Sequence, residues 1–152
     1  YTESDIRLSN FSKDGDIEEE FINKYPGNDF SDKVNDVKVF RASEMYLIRA
    51  EANYFLNRND AALQDINELR KHRISNGGQL NTIDLNTILN ERYLELSYEG
   101  HRYYDLKRLR LPVQRLEKDL AAEGDQSELS SGNKAYILPI PLKETIVNPN
   151  LK

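Results

Sequence analysis

The sequence predicts a mainly α-helical protein built on an antiparallel helical hairpin, with further helices, long loops and short strands. Two observations carry this. SEMYLIRAEANYFLNRN places Met45, Ile48, Ala52 and Phe55 on one helical stripe and Leu47, Ala50 and Tyr54 on another. After the polar turn NRND, the stretch DAALQDINELRKHR repeats the helical period through Ala62, Ile66 and Leu69, with Leu63 beside them.

The first forty residues show little helical period and many chain breakers, such as SKDG and KYPGND, and read as an irregular lead-in. Alternation in DIRLSNF and DVKVF marks short edge strands there. The hairpin occupies 41–74. Two apolar stripes on its first helix predict contact from two sides, with Ser43 as N-cap and Asn59 or Asp60 capping the second helix. Lys71, His72 and Arg73 suit the negative end of that helix. Small residues at Ala50, Ala52, Ala61 and Ala62 allow close approach, and AEANYFLNRNDAALQDINEL looks like a single tetratricopeptide unit. Such units stack to bury their faces, so one copy predicts companion repeats elsewhere.

Gly77 and Gly78 end the hairpin, and Asp84 or Asn86 begins a third helix with the stripe Leu85, Leu89, Tyr93, Leu96. Gly100 breaks it, HRYYDLKRLR resumes as helix, and VQRLEKDLAA has a helical look, so 84–120 reads as kinked helices. The remainder, 121–152, is a polar loop, EGDQSELSSGNK, then a tail held extended by Pro139 and Pro141, with a helical turn at 142–146.

At 152 residues the chain has room for a single domain, and with 31% charged and 38% hydrophobic residues its core is thin. A net charge of −5 argues against nucleic-acid binding. The absence of cysteine removes disulfides and thiolate metal sites, and no stretch approaches the roughly 18 apolar residues of a membrane span. The missing initiator Met suits a processed or excised chain.

The densest chemistry lies in ERYLELSYEGHRYYDLKR, residues 91–108. Glu91, Glu95 and Glu99 are spaced by four on one helix face, and cations must offset their repulsion. Arg92, Glu95, Glu99, His101, Arg102 and Asp105 are therefore read as a structural ion-pair cluster in which Glu99 and Arg102 are buried and paired. Carboxylates among arginines have depressed pKa values and make poor general acids, which disfavours glycoside hydrolysis. A metal at Glu95, Glu99 and His101 lacks the Glu and His three apart that di-metal bundles use. No nucleophile elbow, phosphate loop or HExxH is present, so neither catalytic residues nor a cofactor is expected. Tyr98, Tyr103 and Tyr104 are the candidates for stacking against a sugar ring, against the alternative that they pack between helices.

Three long words in order carry a family resemblance. RASEMYLIRAEA, ERYLELSYEGHRYYDLKR and LPIPLKETIVNPNL, across 41–152, resemble the C-terminal part of the SusD/RagB family. Tyr103 and Tyr104 stand where that family often has Trp with an aromatic partner. The resemblance implies a noncatalytic surface lipoprotein of the outer membrane. Such a protein captures oligosaccharide or peptide nutrients for a SusC-like TonB-dependent transporter. It also implies that the lipid anchor and most tetratricopeptide-like helices belong to an N-terminal part absent from this chain, leaving 1–152 as one C-terminal scaffold region. The alternative is a tetratricopeptide-like scaffold that grips a partner protein.

Overall fold

The computed structural model describes residues 1–13, 20–25, 36, 38–76, 78–120, 124–138, 140–148 and 150, and the described residues are mainly helical. They form two compact units, Tyr1–His101 and Arg102–Lys152.

In the first unit, a 3-10 turn at Ile6–Asn10 leads into β1 (Phe11–Lys13), which pairs antiparallel with β2 (Glu20–Ile22). The strand alternation expected in DIRLSNF is thus largely a 3-10 turn, started by Asp5, whose carboxylate accepts from the Arg7 N–H. Of the DVKVF alternation, Val37 lies outside the described residues, and 38–40 carry no regular structure.

The hairpin consists of α1 (Ala42–Phe55) and α2 (Asn59–Lys71). Ser43 does not cap α1. Extended Arg41 occupies the cap position, its carbonyl accepts from the Glu44 and Met45 N–H groups, and Ser43 lies buried inside the first turn. Asn57 closes α1 with φ of +58°, a left-handed conformation that Asn tolerates, while the Arg58 N–H bonds back to the Asn53 carbonyl. Leu47 and Ala50 of α1 then meet Ile66 and Leu69 of α2 in the core, with Tyr54 packed beside them. The other α1 stripe, Met45, Ile48, Ala52 and Phe55, stays exposed.

The loop from α2 to α3 (Leu85–Glu95) is pinned by Asn67, whose amide donates to the Leu80 carbonyl at 2.9 Å and accepts from its N–H at 2.7 Å. Asp84 caps α3 through the Thr87 N–H at 2.7 Å. Ile88, Leu89 and Leu96 are buried, but Tyr93, expected on the same stripe, is exposed. Glu91, Arg92 and Glu95 take the inward positions instead. Tyr98 and Gly100 adopt positive φ of 62° and 82°, which turns the chain after α3.

The second unit holds most of α4 (His101–Arg108). The expected helix at 113–120 is instead β3 (Val113–Gln114), paired with β4 (Glu128–Leu129), and a 3-10 turn at Glu117–Asp119. Pro112 has no N–H to continue a helix, and the Arg115 N–H finds the Ser127 carbonyl at 2.8 Å. Tyr136, at the end of the 3-10 turn Lys134–Tyr136, is buried and donates to the Leu111 carbonyl at 2.7 Å. Beyond Ile137 and Leu138, α5 (Leu142–Val147) buries none of its residues. Pro139 and Pro149 lie outside the described residues.

Candidate functional site

The acidic face of α3 is the centre of the first unit's polar chemistry. Glu91 is almost fully buried, with Arg7 Nη1 at 2.6 Å from one oxygen and Arg70 Nη1 at 2.7 Å from the other. One turn on, Arg73 donates from Nε at 2.9 Å and from Nη2 at 3.0 Å to the two oxygens of Glu95. Arg41 reaches the same carboxylate at 3.1 Å, and Arg7 lies at 3.4 Å. Arg7 is itself oriented by Asp5, with Nη2 to Oδ2 at 2.7 Å. Glu99 receives Lys24 at 2.5 Å, Arg41 at 2.9 Å and the Tyr25 hydroxyl at 3.0 Å.

These contacts also complete the helix end. Lys24 Nζ donates to the Glu95 and Ser97 carbonyls at 2.7 and 2.9 Å, and Arg41 Nη2 to the Glu95 carbonyl at 2.9 Å. Cations therefore satisfy the last carbonyls of α3, where the helix dipole favours positive charge. A cavity of about 270 Å³ opens beside them, lined among others by Arg7, Lys24, Tyr25, Arg41, Arg73 and Glu95.

The proton affinities follow from this packing. Burial pushes Glu95 toward the neutral acid, but the hydrogen bonds and charge of Arg73, with the charge of Arg41, outweigh it and hold the pKa below the ordinary carboxyl value. Burial works against the Arg7 charge, and Asp5 and Glu91 outweigh it and raise its pKa. For Lys24 burial wins over pairing with Glu99, and its pKa is lowered. A depressed, multiply bonded carboxylate is held as an anion, which suits holding cations in place and opposes proton donation.

The expected cluster is thus assembled differently from its sequence reading. Glu95 and Glu99 meet cations from distant segments, namely Arg7, Lys24, Arg41 and Arg73. Arg102, expected to be buried, is exposed; the oxygens of Glu99 engage Lys24, Arg41 and Tyr25. Arg92 is buried, and Asp105 is buried with Arg108 at 2.9 Å. His101 is half-buried with Nδ1 at 3.6 Å from Glu44. His72, just past α2, approaches Glu68 at 3.2 Å on the surface. Sequence spacing carried no signal for Arg7, Lys24, Arg41, Arg70 or Arg73, since each lies on another element.

The three tyrosines are exposed. Tyr98, in the first unit, stands edge-on to Phe11 at 5.8 Å. In the second unit Tyr103 and Tyr104 form a T-shaped pair at 5.6 Å, and Lys107 Nζ sits 5.6 Å from the Tyr103 ring centre. Among the described residues, no group of three or more His, Asp or Glu is placed to hold a metal.

The chain is similar to known proteins across nearly its whole length. The family model for the SusD family matches residues 17–152. SusD-like protein P2 of Formosa agariphila is 28% identical over 137 residues, which is 82% of this chain and 26% of that protein. SusD-like protein P38 of the same organism is 32% identical over 106 residues, 61% of this chain and 21% of that protein. A crystal structure of a candidate sugar-binding protein from Bacteroides vulgatus superposes with a TM-score of 0.79 and 31% identity, covering 97% of this chain and 34% of that one. The chain spans about a quarter of the length of the curated relatives it matches. The fold and the match over 17–152 agree, and the chain belongs to the SusD family.

Proposed function

We propose that this chain is the scaffold part of a noncatalytic surface protein that captures oligosaccharide, or peptide, and passes it to a SusC-like TonB-dependent transporter at the outer membrane. The observation that carries this is the SusD family match over 17–152, supported by likeness to a Bacteroides vulgatus protein named for sugar binding. The site chemistry is consistent with capture without catalysis, because Glu95 and Glu99 are each held by cations at hydrogen-bond distance. Tyr98, Tyr103 and Tyr104 are the proposed stacking residues, each presenting an exposed ring.

Calorimetry on the naturally expressed polypeptide, with panels of neutral oligosaccharides and peptides, tests this reading. Saturable binding without turnover supports it, as does co-purification with a barrel transporter. Hydrolysis of any panel member that changes rate in Glu95→Gln or Glu99→Gln overturns it. Residues 1–152 alone are expected to bind weakly; tight binding lost in Tyr103→Ala or Tyr104→Ala would place the main site on this chain.

The second reading, a scaffold that grips a partner peptide, is favoured by one observation. A groove of about 370 Å³ runs between α1 and α2, lined by polar side chains that include Arg49, Asn53, Gln64 and Glu68. Peptide binding lost in Asn53→Ala and Gln64→Ala, with oligosaccharide binding untouched, would select it.

A further inference from the structure

Charge does not balance around the end of α3. Among the described residues, its ion pairs gather Arg7, Lys24, Arg41, Arg70 and Arg73 against Asp5, Glu91, Glu95 and Glu99, which leaves one positive charge in excess. Water screens such an excess poorly in a largely buried site, so a further anion is favoured there. The effect reaches Lys24, whose pKa is lowered by burial, with the Arg41 charge beside it, despite pairing with Glu99. The excess also has a place: the cavity of about 270 Å³ is lined by Arg7, Lys24, Arg41 and Arg73, with Glu95 as the carboxylate among its described walls. Glu95 is already engaged, since Arg73 holds both of its oxygens.

Hydrogen-bonding capacity is left over in the same walls. A guanidinium carries five N–H donors, and the contacts of Arg41 and Arg73 use fewer than that on each. Ser9 gives its hydroxyl proton to the Ile6 carbonyl and keeps its oxygen as an acceptor. The half-buried Asn10 lines the cavity too, and its amide offers both donors and an acceptor. Ile6 and Tyr25 add apolar surface. The volume lies just under the roughly 300 Å³ at which drug-sized sites begin, which gives room for one sugar ring and not for an extended chain. We propose that this cavity binds a hexuronate, the carboxylate-bearing sugar unit of an acidic oligosaccharide. Its carboxylate meets Arg41 and Arg73, and its ring hydroxyls meet Ser9 and Asn10. That the ligand is an anion rests on the cavity; that it is a sugar rests on the capture reading above.

The test is calorimetric titration of the naturally expressed polypeptide with galacturonate, galactose, acetylglycine and inorganic phosphate. Galacturonate is expected to bind at least about tenfold tighter than each of the other three, and to raise the melting temperature where galactose does not. Asn10→Asp adds a negative charge to the cavity without removing an ion pair. It is expected to raise the melting temperature of the unliganded protein and to weaken galacturonate binding at least about tenfold. The four-ligand comparison stands by itself if that variant does not fold. Galactose binding as tightly as galacturonate overturns the proposal, as does tighter binding of phosphate, a bare anion, or of acetylglycine, a peptide carboxylate. A folded Asn10→Asp variant with unchanged galacturonate affinity also overturns it. Neutral oligosaccharides bound while galacturonate is not overturn this inference and leave capture intact, whereas turnover of an oligosaccharide with galacturonate still bound overturns the capture reading alone.

Discussion

Arg73 binds Glu95 with two parallel hydrogen bonds, Nε to Oε2 at 2.9 Å and Nη2 to Oε1 at 3.0 Å, so the end of the hairpin is tied to the last turn of α3. This geometry fixes orientation as well as charge, because a planar guanidinium matches a carboxylate in only one plane. Glu95 is 2% exposed, and Arg41 and Arg7 approach the same carboxylate.

Glu95→Gln is therefore expected to be among the most damaging polar substitutions in the first unit. It leaves three guanidinium groups around a neutral amide, a loss of roughly 3–5 kcal/mol for a broken buried pair. Glu68→Gln, at the surface contact with His72, is expected to cost less than about 1 kcal/mol. Urea denaturation of both variants checks the contrast, and equal losses would refute the buried role.

Acid is expected to loosen the same junction. Glu95 and Asp5 both have folded pKa values below their ordinary ones, of 4.5 and 3.8, because their hydrogen bonds and neighbouring guanidinium charges outweigh burial. A depressed carboxyl contributes stability that is fully present above its unfolded pKa and is lost as pH falls through the folded value. Melting temperature should be insensitive to these two groups down to about pH 5 and fall below it, and the Glu95→Gln variant should show a shallower fall.

Gly78 has no room for a side chain. A Cβ there would lie 2.6 Å from the Ile74 Cβ and under 3.0 Å from its Cγ2 and Cδ1. The Gly78 carbonyl also accepts from Arg70, which holds Glu91, so displacing this loop disturbs the ion network. Gly78→Ala is expected to cost about 1–3 kcal/mol, and Ile74→Gly in the same chain, which removes the clashing Cβ, to recover part of it. Simple additivity in that double-mutant cycle would disprove the clash.

Leu47 and Met45 separate the two faces of α1. Leu47 is fully buried, so Leu47→Ala should cost about 2–5 kcal/mol in residues 1–152. Met45 is 45% exposed, and Met45→Ala in the same chain should change stability by no more than about 0.5 kcal/mol. Thermal melts of the two variants decide whether the core lies on the Leu47 side.

The sequence made the helical elements legible because their signals are local. The apolar period marks α1 and α2, and Asp84 sits three residues before the Thr87 N–H it caps. The signals failed where two local patterns competed. The VQRLEKDL period looks helical, yet Val113 and Gln114 pair with 128 and 129 across a loop. Tyr93 fitted the apolar stripe of α3, yet Glu91 and Glu95 displaced it because arginines wait inside.

By itself the sequence determined the helical hairpin and the family, through three words that survive as words, whereas α3 stops at Glu95, short of the break expected at Gly100. Tertiary structure alone decided which stripe of α1 meets the core and which cations hold Glu91, Glu95 and Glu99. The physical reason is range: a helix period is written within a few residues, whereas Arg7 meets Glu91 across 84 positions and Arg41 meets Glu95 across 54. No spacing rule encodes a partner that only folding brings near.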